Sequence, residues 1–449
     1  MTAESFLAYL TAFAAFCLTG LLIALHDVRT HRRFDPLNPG LALLGLYSIY
    51  NFLAFCEAGA LNRVGADSYL FLATLGLLGL MAGTVLAYAT SCLSKRPPRS
   101  AVLPVRPLFF AALLLVPACL VMLVVMYIQR VGSLRALLAL DSSGRALSKG
   151  GVLSGAFPLL TCISGIGLAT AWRMTRTWKW VGMGVFLLTL FLVFYLAASR
   201  GELLGATLIA LYLFHYNIRR ISARLVAAGL VSLVFLMILL GIARARQSEG
   251  VSGMLDLMTP QVIGEHLDFR RLEPYPAMLR GMNLLVDGPP DGQYLYGRSY
   301  LWAFEILLPQ ALYPGERPLT LEGWYVNTYD PYTAALGGGY NFPPLVEACW
   351  NFGSVGCFLL YGLLAWTLNS VYLRSQKTPP GSVARISVAL LVPGFILLMQ
   401  SPFSTYLKGS ILLVLAPGWL FCLLVLTFFG CGESSQWEAD ILREDGNPT

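Results

Sequence analysis

Arginine is the only permanently cationic residue type in the one long stretch of this chain that is neither strongly apolar nor poor in charge, residues 243–347. The stretch up to residue 342 holds Arg244, Arg246, Arg270, Arg271, Arg280, Arg298 and Arg317, and no Lys. A planar guanidinium group binds phosphate through two parallel hydrogen bonds, which the ammonium group of Lys cannot do. The bias therefore favours phosphate or pyrophosphate as the ligand, although long exported loops can also carry cations without a ligand.

Two glutamates lie where the sequence predicts helix starts. The glycines at 337–339, Asn341 as a cap and prolines in the first turn predict a long helix there, with Glu347 close to its positive end. Glu347 is then either a general base or a simple complement to the helix dipole. Arg200 and Glu202 lie between two apolar runs, where charge is costly unless it faces the protein interior or water. Their alternative role is a helix-hairpin turn, in which Glu202 complements the dipole.

Composition defines the scaffold that must position these residues. The 449 residues are 57% hydrophobic and only 12% charged, with a mean hydropathy of +0.66, which excludes an ordinary soluble protein. The net charge of +7 is carried by short basic clusters between apolar runs and does not indicate nucleic acid as a partner. Neither CxxC pairs nor a ligand spacing of His with Cys occurs, so we expect no metal and no cofactor.

Apolar runs recur along most of the chain, and only helices satisfy their own backbone hydrogen bonds in lipid at this length. We predict an all-α polytopic membrane protein with about 11 transmembrane helices, at residues 6–25, 37–56, 68–90, 108–128, 152–172, 180–198, 202–216, 225–243, 343–372, 386–403 and 410–429. The short basic turns all fall on one side, which the positive-inside rule makes cytoplasmic. The N-terminus and the long polar stretch then lie outside.

This topology divides the chain into four segments: N-terminal membrane helices at 1–243, a large outward loop at 244–342, C-terminal membrane helices at 343–430 and a cytoplasmic tail at 431–449. Residues 301–312 of the loop are apolar but too short to span a bilayer, which predicts a re-entrant or interfacial helix. Tyr and Trp residues crowd the same loop. Most suit the membrane interface, and a few suit platforms for sugar rings.

This arrangement resembles the Wzy-type O-antigen polymerases, which polymerise oligosaccharide repeat units. As motif, the resemblance covers Ser199–Glu202 and residues 308–356, including Leu308-Pro309, Pro314-Gly315 and the sequence GGGYNFPPLVEACWNFGSVG at 337–356. As architecture, it covers roughly the whole chain, with many spans and one large outward loop late in the sequence. A pattern of Arg, ten residues and Gly, described for some members in two loops, occurs here once, from Arg270 to Gly281, and has no second copy in residues 129–151.

The resemblance implies glycosyl transfer at the periplasmic face of a bacterial inner membrane, between two undecaprenyl-pyrophosphate-linked glycans, with a chain-length regulator as a further partner. Arg200, Arg246 and Arg317 are the first candidates for pyrophosphate, followed by Arg244, Arg270, Arg271 and Arg280. Glu347 precedes Glu202 and His266 as candidate base. The sequence contains no outward Asp-x-Asp, which disfavours metal dependence.

Two other functions fit the same sequence. A ligase that transfers finished O-antigen to lipid A core shares the architecture and the donor, and sequence separates the two poorly. A transporter or flippase for lipid-linked oligosaccharides is the non-enzymatic alternative. The lack of an internal repeat and the scarcity of charge within the predicted spans count against it.

Overall fold

The computed structural model describes the greater part of the chain as helical. The described residues are 3–31, 34–52, 55, 62–93, 100–133, 135, 152–197, 200–229, 231–232, 274–305, 319–335, 340–399, 401–403, 407 and 414–430. Within them, five helices are long and apolar enough to cross a membrane: Leu10–Arg29, Ala66–Ser91, Val105–Val131, Arg176–Val193 and Pro344–Gln376. Shorter apolar helices occur at Phe157–Ala171, Val383–Phe395 and Ala416–Phe429. The chain is therefore an all-α protein with the helices of a membrane protein.

The helices are named here in chain order. They are α1 (Ala3–His31), α2 (Pro39–Phe52), α3 (Ala66–Leu93), α4 (Val105–Val131), α5 (Val152–Ala171), α6 (Arg176–Ala197), α7 (Arg200–Asn217), α8 (Pro274–Asp287), α9 (Arg298–Glu305), α10 (Leu321–Tyr329), α11 (Pro331–Ala335), α12 (Pro344–Gln376), α13 (Val383–Leu398) and α14 (Ala416–Phe429), with a 3₁₀ turn at Pro290–Gly292. Each described helix outside residues 274–335 overlaps one of the predicted spans.

Backbone contacts divide the chain into two compact units, each built from separate segments. Unit 1 comprises Met1–Arg96, Leu267–Leu373 and Phe395–Lys408, and unit 2 comprises Pro97–His266, Arg374–Gly394 and Gly409–Thr449. Unit 1 thus contains α1 to α3, the described helices of the polar stretch and most of α12. The candidate functional residues with described surroundings all belong to unit 1.

In unit 1, glycines allow α3 and α12 to pack with their backbones in contact. A Cβ atom on Gly79 or Gly83 would overlap a backbone carbonyl of α12, that of Phe358 or of Gly362 respectively. Small residues four apart allow this close approach between membrane helices. Further along both helices, Asn369 donates a hydrogen bond to Thr84 Oγ1 at 3.2 Å. The contacts advance together along the two helices, so α3 and α12 run in the same direction.

The turn between α1 and α2 holds buried carboxylates. Asp27 and Asp35 are each 1% exposed. Asn38 Nδ2 donates to Asp27 Oδ2 and to the hydroxyl of Tyr88, both at 3.1 Å, while Leu37 N and Tyr372 Oη donate to the two carboxylate oxygens of Asp35 at 3.0 and 2.8 Å. We call Asp27, Asp35, Asn38, Tyr88 and Tyr372 the turn network. It connects the α1–α2 turn to the last part of α12.

In unit 2, α5 packs against α4, α6 and α7. Two arginines from predicted basic turns donate to carbonyls at the end of α7: Arg173 Nη2 to Asn217 O at 2.7 Å and Arg385 Nη1 to Tyr216 O at 3.0 Å. The last carbonyls of a helix have no partner within the helix, so these arginines complete its hydrogen bonding. Arg173 and Arg385 belong to basic turns that entered the sequence analysis only as evidence for membrane sidedness. In the structure they also stabilise the end of α7.

Candidate functional site

The described residues include only some of the sequence-predicted site residues. Glu347 and Arg280 are described with their contacts. Arg200 and Glu202 lie in the first turn of α7, as predicted, but the surroundings of their side chains lie outside the described part of the chain. The other candidates also lie outside the described residues: His266, Arg244, Arg246, Arg270, Arg271 and Arg317. Their roles stay predictions.

Glu347 is a buried carboxylate at the start of the longest helix. The predicted helix start is confirmed, since α12 begins at Pro344 and Glu347 lies in its first turn. The side chain is 1% exposed. Its Oε1 accepts a hydrogen bond from Ser299 Oγ at 2.7 Å, and its Oε2 accepts one from the backbone N–H of Phe403 at 2.7 Å. A carboxylate buried this deeply needs such donors, because loss of hydration is costly.

Asn351 lies one turn further along α12 and joins Glu347 to the segment before α9. Its Nδ2 donates to Ser299 Oγ at 2.8 Å and to the backbone oxygen of Glu347 at 2.7 Å. Its Oδ1 accepts from Gly297 N at 2.8 Å. Asn351 is 0% exposed. The serine, the glutamate and the asparagine therefore form a continuous hydrogen-bonded network, whose geometry is fixed by three separate segments of the chain.

The backbone of α12 breaks directly after this network. Phe352 and Gly353 have non-helical dihedral angles, and Gly353 has φ of +64°, which glycine adopts without steric cost. The break frees a carbonyl of the preceding turn, and Leu295 N donates to Trp350 O at 2.8 Å. Between Leu295 and Gly297, Tyr296 has φ of +45°, a strained conformation for a residue with a side chain. Such strain clusters at functional sites.

Tyr300 places a phenol hydroxyl beside the network. The oxygen is buried and has no hydrogen-bond partner among the described residues. The ring is stacked on Phe352, with ring centres 6.0 Å apart, and meets the edge of Phe403 at 5.3 Å. Burial, and to a lesser extent the negative charge of Glu347, raises the pKa of the Tyr300 phenol, so the hydroxyl stays protonated. We call Glu347, Ser299, Asn351, Tyr300 and Phe403 the carboxylate site.

An apolar cluster holds the neighbouring helices of the polar stretch against the first turns of α12. Val346 and Trp350, one turn apart on α12, pack in it. The buried members are Leu284, Leu295, Leu321, Phe342, Val346 and Trp350, with Leu285, Trp302, Trp324 and Tyr325 packed around them. Glu347 directly follows Val346, and Asn351 directly follows Trp350. Their side chains therefore lie on the side of α12 next to its core-facing side. The carboxylate site thus lies beside a well-packed core.

Arg280, one of the predicted phosphate ligands, lies on α8 over an aromatic ring. Its guanidinium carbon is 5.5 Å from the ring centre of Tyr340, within the range of a cation–π interaction. Tyr340 Oη in turn donates to Asp330 Oδ2 at 2.8 Å. The hydrogen bonds from Thr333, together with this one from Tyr340, lower the pKa of Asp330. The guanidinium of Arg280 therefore faces a tyrosine ring that is itself held by a carboxylate.

A cavity of about 260 Å³ lies at the end of α8. It is lined by Val64, Asn283, Leu284, Val286, Asp287, Tyr325 and Tyr329. We call it the tyrosine pocket. Leu284 both lines the pocket and packs in the apolar cluster with Val346 and Trp350. The wall of the pocket and the helix turn that carries Glu347 therefore share one core.

Sequence reasoning missed Ser299 and Phe403, and it included Tyr300 only among the aromatic residues that crowd the loop. Ser299 and Phe403 lie 48 and 56 residues from Glu347, and nothing local in the sequence signals such contacts. Asn351 had a usable signal, because it lies four residues after Glu347 and hence on the same side of the predicted helix. Within the described residues, no group of three His, Cys, Asp or Glu side chains is placed to hold a metal ion.

Comparison with known proteins adds no relative. No family model, no curated protein and no solved structure matches this chain. The function must therefore be argued from the residues and their geometry.

Proposed function

We propose that this protein is a membrane glycosyltransferase of the bacterial inner membrane, which polymerises undecaprenyl-pyrophosphate-linked repeat units into O-antigen or a related surface polysaccharide. The carrying observation is the carboxylate site. A buried carboxylate and a buried phenol hydroxyl that has no hydrogen-bond partner among the described residues lie together at a break in a membrane-length helix. Broken membrane helices place freed polar groups at binding sites, and a buried donor without an acceptor requires a functional or structural reason.

The predicted topology of about 11 spans belongs to this proposal, with residues 243–342 and the start of α12 on the periplasmic side. It requires α3 and α12 to cross the membrane in the same direction. Successive residues of α3, Gly79, Gly83 and Thr84, contact successively later residues of α12, namely Phe358, Gly362 and Asn369, which supports this. A reporter fused at Gly288 should lie in the periplasm and one fused at Thr449 in the cytoplasm. Finding both on one side would contradict the topology.

Glycosyl transfer needs two charge events. The acceptor hydroxyl loses a proton as its oxygen forms a bond to the donor anomeric carbon, and the bond from that carbon to pyrophosphate breaks. In this proposal the carboxylate of Glu347 takes the proton. Arginines stabilise the departing pyrophosphate, with Arg200, Arg246 and Arg317 as the first candidates.

The closed geometry adds a condition to this mechanism. Both carboxylate oxygens of Glu347 already accept a hydrogen bond, and the side chain is 1% exposed. An acceptor hydroxyl therefore reaches it only when α9 or the segment around Phe403 moves aside. Tyr300 lies on α9 itself, and its ring meets that of Phe403. Its hydroxyl, which has no hydrogen-bond partner among the described residues, then becomes available to a sugar oxygen in the same movement.

The test is complementation of a strain that lacks its own polymerase and supplies the matching repeat unit. We expect Glu347→Gln and Arg200→Ala each to lower polymer formation by about 100-fold or more, the range for loss of a general base or of charge stabilisation. Asp35→Asn is the matched control, since it neutralises an equally buried carboxylate of the turn network. Immunoblots of membranes verify equal amounts of protein. Normal polymer ladders from both site variants would remove both assignments.

A transporter of lipid-linked oligosaccharide is the second candidate, and one observation favours it. Unit 1 buries the carboxylates of Asp27, Asp35 and Glu347, and ionisable groups inside a membrane protein mark transport pathways as often as catalytic sites. Purified protein in detergent separates the two functions, because detergent abolishes transport but permits transfer. Extension of a lipid-linked repeat unit in detergent supports the enzyme. Gradient-dependent movement in vesicles without extension supports the transporter.

A further inference from the structure

We propose that the tyrosine pocket binds one sugar ring of the repeat unit, as a recognition subsite separate from the carboxylate site. This rests on the proposed function, since it assumes an oligosaccharide substrate. The pocket residues with polar groups are Asn283, Asp287 and Tyr329, and the stacked rings are those of Tyr325 and Tyr329. Asn283 and Asp287 were not candidates from the sequence, whereas Tyr325 and Tyr329 belong to the loop aromatics of which a few were expected to form platforms for sugar rings.

The walls of the pocket are fixed by packing. Gly65, with φ of +82°, turns the chain directly before α3, and a Cβ atom there would lie 2.6 Å from the backbone oxygen of Met282 on α8. The turn therefore lies directly on α8 and places Val64 at the pocket edge. The opposite wall is α10, whose first turn is capped by Thr320 Oγ1, which accepts from Gly323 N at 3.0 Å. The cavity is thus set between ordered elements.

Two stacked tyrosines form an aromatic platform on one side of the pocket. The rings of Tyr325 and Tyr329 are stacked, with centres 4.9 Å apart and an angle of 29° between planes. Trp324 meets the edge of Tyr329 at 6.0 Å and holds it. Tyr329 is 45% exposed, so part of its surface faces the opening. Aromatic rings combine an apolar face with a polar tip, which suits the C–H face and the hydroxyl edge of a pyranose.

The polar groups lie at one edge of the platform. Tyr329 Oη donates to Asp287 Oδ2 at 2.7 Å, which orients the carboxylate and leaves Oδ1 to accept from a ligand. Burial and the hydrogen bond to Asp287 raise the pKa of Tyr329 to about 12, so the phenol stays protonated at neutral pH. Asn283 lies one helical turn before Asp287 on α8 and adds an amide that both donates and accepts. A carboxylate, an amide and an aromatic face can together bind vicinal sugar hydroxyls.

Charge and size define the class of ligand. The carboxylate of Asp287 repels phosphate and carboxylate groups, so the pocket favours an uncharged sugar or an amino sugar over the pyrophosphate part of the substrate. The cavity of about 260 Å³ lies just below the usual range of small-molecule sites, roughly 300–1,000 Å³. It therefore holds a single ring and leaves the rest of the oligosaccharide outside.

The experiment uses the full-length protein, fluorescently labelled and purified in detergent, on a glycan array of bacterial surface oligosaccharides. We expect the wild type to retain a subset of glycans, and Tyr325→Ala and Asp287→Asn each to weaken retention by about tenfold or more. Tyr332→Ala is the matched control. This tyrosine of the neighbouring helix α11 is 76% exposed and does not line the pocket, so its loss should leave retention unchanged.

The outcomes separate this subsite from the proposed enzyme. The subsite would be overturned if the wild type retained no glycan, or if both pocket variants retained glycans as well as the wild type does. This holds even if the protein extends lipid-linked glycans. Retention that depends on Tyr325 and Asp287 supports the subsite even if purified protein shows no extension, in which case the polymerase assignment fails alone.

Discussion

The two ends of α12 each hold a buried carboxylate, but they secure it in different ways. At the first end, Glu347 is bound by side-chain and backbone groups from three segments, beside a helix break, a strained tyrosine and an unpaired hydroxyl. At the far end, Asp35 accepts from Leu37 two residues away and from Tyr372 in a regular part of the helix. Only the first end combines a carboxylate with backbone strain.

This difference indicates different roles. A carboxylate fixed by a local turn and one tyrosine stabilises the connection between α1, α2 and α12. The carboxylate of Glu347 is instead placed where two segments can separate from α12. Strain and an unpaired polar group have a free-energy cost that a purely structural site would avoid. We therefore expect variants at the far end to lower stability and variants at the first end to lower activity.

The largest expected effect tests the close packing of α3 against the middle of α12, between the two ends that are compared. Gly83→Val would force a branched side chain into the backbone of Gly362. We expect a loss of about 3 kcal/mol in the free energy of unfolding, the upper end of the usual range for overpacking. Gly20→Ala on α1 is the control, because a Cβ atom there meets nothing within 4 Å. Fluorescence-detected size-exclusion after heating measures both. Equal thermal stability of Gly83→Val and the wild type would disprove the close packing.

A smaller effect is expected at the far end of α12. Tyr372→Phe removes the hydroxyl that donates to Asp35 Oδ2 and leaves a buried carboxylate with one donor fewer. Hydrogen bonds to charged groups contribute about 1.5–3 kcal/mol, so we expect a loss of that size in unfolding free energy. Polymer length should not change, because this end lies outside the carboxylate site. A variant with normal stability and shortened polymer would reverse the roles assigned to the two ends.

The smallest effect on stability, and the sharpest contrast, comes from two buried tyrosine hydroxyls without partners among the described residues, those of Tyr300 and Tyr361. Replacing either tyrosine by Phe removes an unsatisfied polar group, so we expect stability to be unchanged or to rise by about 1 kcal/mol. Only Tyr300→Phe should lower polymer formation, because Tyr361 lies further along α12, against Tyr47. Normal polymer from Tyr300→Phe would exclude its hydroxyl from contact with substrate.

Periodicity and cap residues predicted the helices well. Asn341, Pro343 and Pro344 predicted the start of α12, and the apolar runs predicted the bounds of α2 to α7 closely. Helix α1 continues to His31, beyond its predicted end at residue 25. The count of about 11 spans and the sidedness stay predictions. The spacing of Gly79 and Gly83 was a further signal for close helix packing, visible in the sequence but not used.

The sites were harder to predict because their contacts are distant in sequence. Nothing local in the sequence predicts that Asp27, near the end of α1, and Asp35, in the turn after it, are buried. They are bound by Asn38 and by Tyr372 respectively, the latter 337 residues from Asp35. Glu347 was found because helix-start signals are local. The partners that define its geometry, Ser299 and Phe403, come from other elements, and no local pattern specifies which turn of which helix they meet.

The strained backbone at Tyr296 has a kinetic consequence. Its conformation is held by the hydrogen bonds that its neighbours Leu295 and Gly297 donate to Trp350 and Asn351. If these bonds break, relaxation to an extended backbone releases about 1–2 kcal/mol, the cost of a left-handed residue with a side chain. The relaxation would therefore favour the separated state of this segment over the packed one. A site opened in this way would stay open longer than one lined by an unstrained segment.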